Sequence, residues 1–182
     1  LTKSKGRLLS LSVSEGSGDV VLLARERDEW DRSVWRLLHY DVHQRSLKVV
    51  DTNVNLYGNR RDAVLLSPSG AEVVLLIFEK RRPHISVYRR MQLADGTLYF
   101  GMAKTTQSQD LDIEHMPADP LALTAKTFSP CGSRAFFFFA ALNPHEGHEG
   151  VLVVDVAKTE HSHRVEAEWH DYPHEAAPSN VA

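Results

Sequence analysis

The sequence predicts an all-β chain of repeated antiparallel four-stranded sheets, and three observations carry that reading. A turn phrase recurs. Leu66-Ser67-Pro68-Ser69-Gly70 is matched by Phe128-Ser129-Pro130-Cys131-Gly132, whose serine lies 62 positions further on, and the two copies align without a gap from Ser67-Pro68 through Phe78. A degenerate copy, Ser12-Val13-Ser14-Glu15-Gly16-Ser17-Gly18, stands near the start. Each copy is followed by a nearly unbroken apolar run: Val20 to Ala24, Val73 to Phe78 and Ala135 to Leu142. Such runs mark strands covered on both faces. Third, no segment sustains a helical apolar stripe. Glu26 to Leu38 comes nearest, with Trp30, Val34, Trp35, Leu37 and Leu38 close to helical spacing, and it reads better as a loop followed by a strand.

Taken in order, Arg7 to Val13 and Asp19 to Arg25 are the first two strands, joined by the turn at Ser14 to Gly18. Glu26 to Ser33 is charged and reads as an exposed loop. Val34 to Val42 and Leu47 to Asp51 complete a four-stranded meander through a short polar link, His43-Gln44-Arg45-Ser46. The pattern restarts with Asp62 to Ser67, Ala71 to Glu79, His84 to Met91 and Thr97 to Ala103. Their connections are Pro68-Ser69-Gly70, Lys80-Arg81-Arg82-Pro83 and Leu93-Ala94-Asp95-Gly96, the last holding a strong hairpin dipeptide. Lys104 to Pro120 is a loop between units, with room for one short helical turn. The third unit is Leu121 to Phe128, Ser133 to Leu142, Gly150 to Val156 and Ser162 to Trp169, with Asn143 to Glu149 and Ala157 to His161 as loops. One body over 1–169 is expected, in units 7–51, 62–103 and 121–169, followed by a frayed tail over 170–182.

Composition narrows the function classes. A chain of 182 residues with 42% hydrophobic and 25% charged residues is ordinary globular material for one domain with a sizeable core. A net charge of −3 argues against a general attraction to nucleic acid phosphates. No apolar run approaches the roughly 18 residues of a membrane-spanning helix. The single cysteine, Cys131, excludes an internal disulfide and points to a reducing compartment, so a cytoplasmic or nuclear location is expected.

Three units of four strands, each with Ser-Pro-x-Gly or a degraded copy between its first two strands, resemble blades of a WD-repeat-like β-propeller. Ser67-Pro68-Ser69-Gly70 and Ser129-Pro130-Cys131-Gly132 match the family's Ser-Pro-Asp-Gly turn, with Ser69 or Cys131 replacing aspartate. Tyr40-Asp41, Val87-Tyr88 and Val154-Asp155 partly match the phrase that ends a third strand. The spacing of 62 exceeds the usual 40–45 residues per blade, and neither a Gly-His pair before a blade nor a Trp-Asp closing dipeptide is present. The resemblance implies sheets arranged radially around an axis. Propellers close with 4 to 8 sheets, so three units imply further blades. The sequence, which opens at Leu1 without a methionine, is expected to be an excerpt of a longer propeller; assembly with another chain and a different closure are the alternatives.

The functional expectation is a non-catalytic interaction scaffold that binds protein partners through long loops, with no cofactor. Trp30 is the candidate anchor, rimmed by Glu29, Asp31 and Arg32, because aromatics with charged surrounds dominate interface energetics. Arg81 and Arg82 extend the candidate surface, within a basic patch that includes Lys80, Arg89 and Arg90. Trp35 and Trp169 are read equally well as packing between units. No catalytic residue is assigned. The alternative is part of a propeller hydrolase or lyase with a metal at the histidine-rich loop, held by His145 and His148 with His161 and His163 as further ligands. Two glycines beside His145-Glu146-Gly147-His148 favour a solvated hairpin there instead. Cys131-Gly132-Ser133 has the look of a cysteine nucleophile's neighbourhood, but its position in the repeated turn accounts for it.

Overall fold

The computed structural model describes residues 7–27, 33–51, 62–79, 82–105, 116, 121–142, 149–162 and 164–172. These form three antiparallel four-stranded sheets in sequence order, an all-β fold of propeller-blade type. The first sheet holds β1 (Arg7–Val13), β2 (Val20–Arg27), β3 (Ser33–Asp41) and β4 (Ser46–Asp51). The middle sheet holds β5 (Ala63–Leu66), β6 (Glu72–Glu79), β7 (Arg82–Gln92) and β8 (Leu98–Thr105). The third holds β9 (Leu121–Phe128), β10 (Arg134–Ala141), β11 (Glu149–Asp155) and β12 (Glu166–Asp171). Within each, every strand pairs with its sequence neighbour, so local turn chemistry sets the order.

The turn between the first two strands of each sheet spans the same length. The N–H groups of Ser14, Ser67 and Ser129 donate to the carbonyls of Asp19, Glu72 and Arg134, five residues on in each case. A glycine at φ 73–75° (Gly18, Gly70, Gly132) bends each one. The bends differ by one residue, since Gly70 and Gly132 donate to the serine three positions back whereas Gly18 donates to Ser14, four back. The degenerate phrase therefore makes the same connection by a wider turn.

The alternation of strand side chains builds two cores. Val64, Leu66, Val73, Leu75 and Ile77 of the middle sheet join Val21, Leu23, Trp35 and Leu37 of the first. From the opposite face, Ala63, Leu65, Val74, Leu76 and Phe78 join Ala135, Phe137, Phe139, Leu152 and Trp169 of the third. β6 is thus buried on both faces, as its unbroken apolar run predicts. β2 and β10 are fully buried only on the face toward the middle sheet, so for them that expectation holds on one side.

Several boundaries differ from the sequence reading, each for a local reason. Arg82 and Pro83 belong to β7 rather than to a loop. Pro83 pairs with Phe78, whose N–H turns the other way to the Asp62 carboxylate at 2.9 Å, so no ladder bond needs the missing proline N–H. Ala157 to His161, read as loop, forms most of helix α1 (Val156–His161), and the last strand begins four residues later than expected, at Glu166. The Asp155 carboxylate accepts the Lys158 N–H at 2.8 Å as N-cap, while Val156 and Thr159 face inward. β12 continues through His170 and Asp171, where fraying was expected, because Asp171 pairs with Gly150 and accepts the indole N–H of Trp169 at 2.7 Å. A Cβ at Gly150 would stand well inside contact distance of Cζ2 of the Trp169 ring, so a side chain there would collide with it. Trp35 and Trp169 both pack between sheets.

Candidate functional site

In a stack of blades, polar groups can converge where the first strands meet or at the outer rim. The first strands do meet here. Serines of β1 face the open edge of β5: Ser10 Oγ accepts from Val64 N–H at 3.1 Å and Ser12 Oγ from Leu66 N–H at 2.9 Å. Exposed edge donors are thereby satisfied by side chains rather than by another strand. Lys126 of β9 reaches across β5, donating to Val64 O at 2.7 Å, Leu11 O at 3.1 Å and Ser10 Oγ. Three ammonium donors meet three uncharged acceptors, one set on each of two sheets. Desolvation pushes the Lys126 ammonium down to about 8. With every donor engaged, it clamps three sheets together and is not an open anion site.

The turns interlock at the same end. Gly16 N–H and the Ser14 hydroxyl both donate to Pro68 O, at 2.9 and 2.7 Å. A Cβ on Gly70 would stand 2.5 Å from Ser17 Oγ, so only glycine admits this approach. Cys131 projects from the third turn into solvent, 3.0 Å from Ser133 Oγ and 3.5 Å from Ser129 Oγ. The Ser129 hydroxyl chiefly, with Ser133, pulls its thiol down to about 7. The turn position predicted for it is confirmed.

Between the first two sheets lies a buried ionic cluster that sequence reasoning missed. Asp19, fully buried, sits 3.1 Å from the Arg90 guanidinium and 3.5 Å from His39 Nε2, and its other oxygen accepts Val42 N–H at 3.2 Å. Burial, opposed by the Asp19 carboxylate, pulls the His39 imidazole below its ordinary value. The Tyr88 hydroxyl donates to Asp51 at 2.8 Å, and desolvation raises its pKa. The Asp41 carboxylate caps the next turn by accepting Gln44 and His43 N–H, which holds it below the usual range. Arg89 pairs with Glu160 of α1 at 2.7 Å. Arg89 and Arg90, read as an open basic patch, thus tie the middle sheet to its two neighbours.

Of the sequence-predicted contact residues, Trp30, Glu29, Asp31, Arg32 and Arg81 lie outside the described residues, and Arg82 is placed by its backbone alone in β7. His145, His148 and His163 also lie outside them, while His161 ends α1 and is exposed. Among the described residues no group of three or more histidine, cysteine or acidic side chains is placed to hold a metal ion. No helix among them is long and apolar enough to cross a membrane. At the rim, Met91, Leu93 and Tyr99 are exposed together on one side of the β7–β8 hairpin, where Met91 and Tyr99 are cross-strand partners. The turn below them closes through Asp95-Gly96, with Gly96 N–H donating to Leu93 O and Thr97 N–H to the Asp95 carboxylate.

No family model matches the sequence, and no curated protein matches it. Among solved structures the chain is similar to one described as "Crystal structure of Nidogen/Laminin Complex", with a TM-score of 0.34 and 9% identity over 88% of this chain and 79% of that one.

Proposed function

We propose that this chain is a protein-interaction scaffold of the WD-repeat-like propeller kind, without catalysis of its own. The observation that carries the reading is the rim hairpin, where Met91, Leu93 and Tyr99 stand in solvent on one side of a hydrogen-bonded turn. Methionine and tyrosine are enriched at interface centres because they offer large contact area and adapt to a partner's shape. The polar groups found between sheets are consumed in holding them together, which suits a platform. The remaining contacts come from Trp30 with Glu29, Asp31 and Arg32 between β2 and β3, from Arg81 just before β7 and Arg82 at its first position, and from the segment before β9. Surface loops tolerate length at little entropic cost, and extra length in a hairpin protein serves recognition more often than closure. The free, exposed Cys131 thiol supports an intracellular setting.

The test is recovery of co-purifying protein by the tagged chain and by three variants, Trp30→Ala, Met91→Glu and Tyr99→Glu. Each is expected to lower recovery about tenfold, the loss that ~1.4 kcal/mol of contact energy produces. Melting temperatures of Met91→Glu and Tyr99→Glu should stay within about 2 °C of the parent, because these two side chains face solvent. Unchanged recovery from all three would sink the proposal.

A further inference from the structure

The outward faces of the first and third sheets carry the same side-chain positions that build the two internal cores. Counting from the turn serine, the residues at six and eight positions on are Val20 and Leu22 in the first sheet, Val73 and Leu75 in the middle, Ala135 and Phe137 in the third. In the middle and third sheets these face the preceding sheet and are buried there. The residues at seven and nine positions on are Val21 and Leu23, Val74 and Leu76, Phe136 and Phe138. In the first and middle sheets these face the following sheet and are buried in turn. Val20 and Leu22 therefore form a backward-packing face on which no sheet of the described residues lies, and Phe136 and Phe138 a forward-packing face in the same state. Around the former, Leu11, Val13, Leu47 and Val49 are 46–57% exposed. On the latter, Phe136 and Phe138 stack with ring centroids 6.4 Å apart, beside half-buried Val151 and Val153.

We infer that the forward face of one copy of this chain packs on the backward face of a second copy, and reciprocally, closing six sheets into one ring. The inference continues an interface that already occurs twice within the chain. Two three-sheet units give six sheets, inside the four-to-eight range in which propellers close, whereas three units would exceed it. The polar ties between the first and middle sheets carry over by register. Tyr88 is paired with Val73 and donates to Asp51, which is paired with Leu37. The matching positions are Tyr40, paired with Val20, and His170, paired with Val151, so the Tyr40 hydroxyl of one copy meets the His170 imidazole of the other. Ser12, paired with Val21, accepts Leu66 N–H. Its match is Thr127, paired with Phe136, whose hydroxyl oxygen receives the edge N–H of Val13 from the second copy. The proposal is independent of the loop and rim contacts proposed above.

The purified chain, examined by analytical ultracentrifugation, should sediment at twice its 20.5 kDa mass. Phe138→Glu should reduce it to a single chain while retaining the β-sheet circular-dichroism signal. A monomer, or any other stoichiometry, overturns the inference. A second measurement fixes the geometry. In a Cys131→Ser background, one chain carries Tyr40→Cys and another His170→Cys, and the two are mixed and treated with a short bismaleimide. Linkage only in the mixture supports the ring. Linkage of Tyr40→Cys chains to each other, or none in the mixture, overturns it even for a dimer.

Discussion

The two internal interfaces solve the same packing problem with different chemistry. Between the first and middle sheets, aliphatic contacts are reinforced by a buried carboxylate, Asp19, with Arg90 and His39 around it, and by the Tyr88–Asp51 hydrogen bond. Between the middle and third sheets, the core is aromatic: Phe78 meets Phe139 edge-on at 5.7 Å, and Phe139 leans on Trp169 at 5.9 Å. The ion pair across that second interface, Arg89 to Glu160, stands at the surface. A buried charge cluster is directional and sets one alignment, but it must offset desolvation. An aromatic core carries no charge to desolvate and contributes mainly through area. The polar interface is thus the pH-sensitive one and the aromatic interface the mutation-sensitive one.

The largest effect should come from Phe139→Ala, which deletes a fully buried ring shared by both aromatic contacts. A loss of about 3–5 kcal/mol in denaturant unfolding is expected. Less than about 1 kcal/mol would mean that the third sheet is not held by that core. Asp19→Asn should cost about 2 kcal/mol, below the figure for a fully buried pair because Arg90 is partly exposed. The same cluster gives a pH test. His39 is lowered in the folded state, so its contribution is intact above the ordinary imidazole pKa and is lost as pH falls below about 6.5. His39→Gln should flatten the fall in melting temperature between pH 7 and 5, and an unchanged slope would place the acid sensitivity elsewhere.

Lys126→Met tests the clamp that spans both interfaces. It leaves the carbonyls of Val64 and Leu11 without their shared donor, at a cost of about 1–3 kcal/mol near pH 7. The lysine is lowered on folding, so the unfolded chain holds the proton more tightly between about pH 8 and 10 and the folded state gains relative stability as pH rises. The melting temperature of the parent relative to Lys126→Met should therefore climb across that window. A flat difference would show that the ammonium is solvated. The smallest effect belongs to Arg89→Ala, within about 0.5 kcal/mol, since an exposed ion pair gains little in water. A larger loss would mean that Arg89 acts through its packing against α1.

Strand order, the three equivalent turns and the double burial of β6 are legible in the sequence because each rests on local chemistry. A serine–proline–glycine phrase bends the chain within six residues, and an unbroken apolar run states that a strand has no wet face. The cluster around Asp19 and the Lys126 clamp are not legible in this way. Asp19 and Arg90 stand 71 residues apart in sequence, and Lys126 and Ser10 stand 116 apart. No periodic signal links such positions, since a charged residue at a strand end reads as solvated until another sheet covers it. Helix α1 was hidden for a related reason. Six residues are too few to show a period, and contacts outside the helix hold them in place: the Asp155 cap, the seats of Val156 and Thr159 against the third sheet, and the Arg89–Glu160 pair. The sequence alone determined which residues form strands and how each strand meets its neighbour, because turns and period-two alternation act within a few residues. The tertiary structure decided which faces meet and which polar groups they enclose, because those choices depend on distances that the chain closes only when the sheets are stacked.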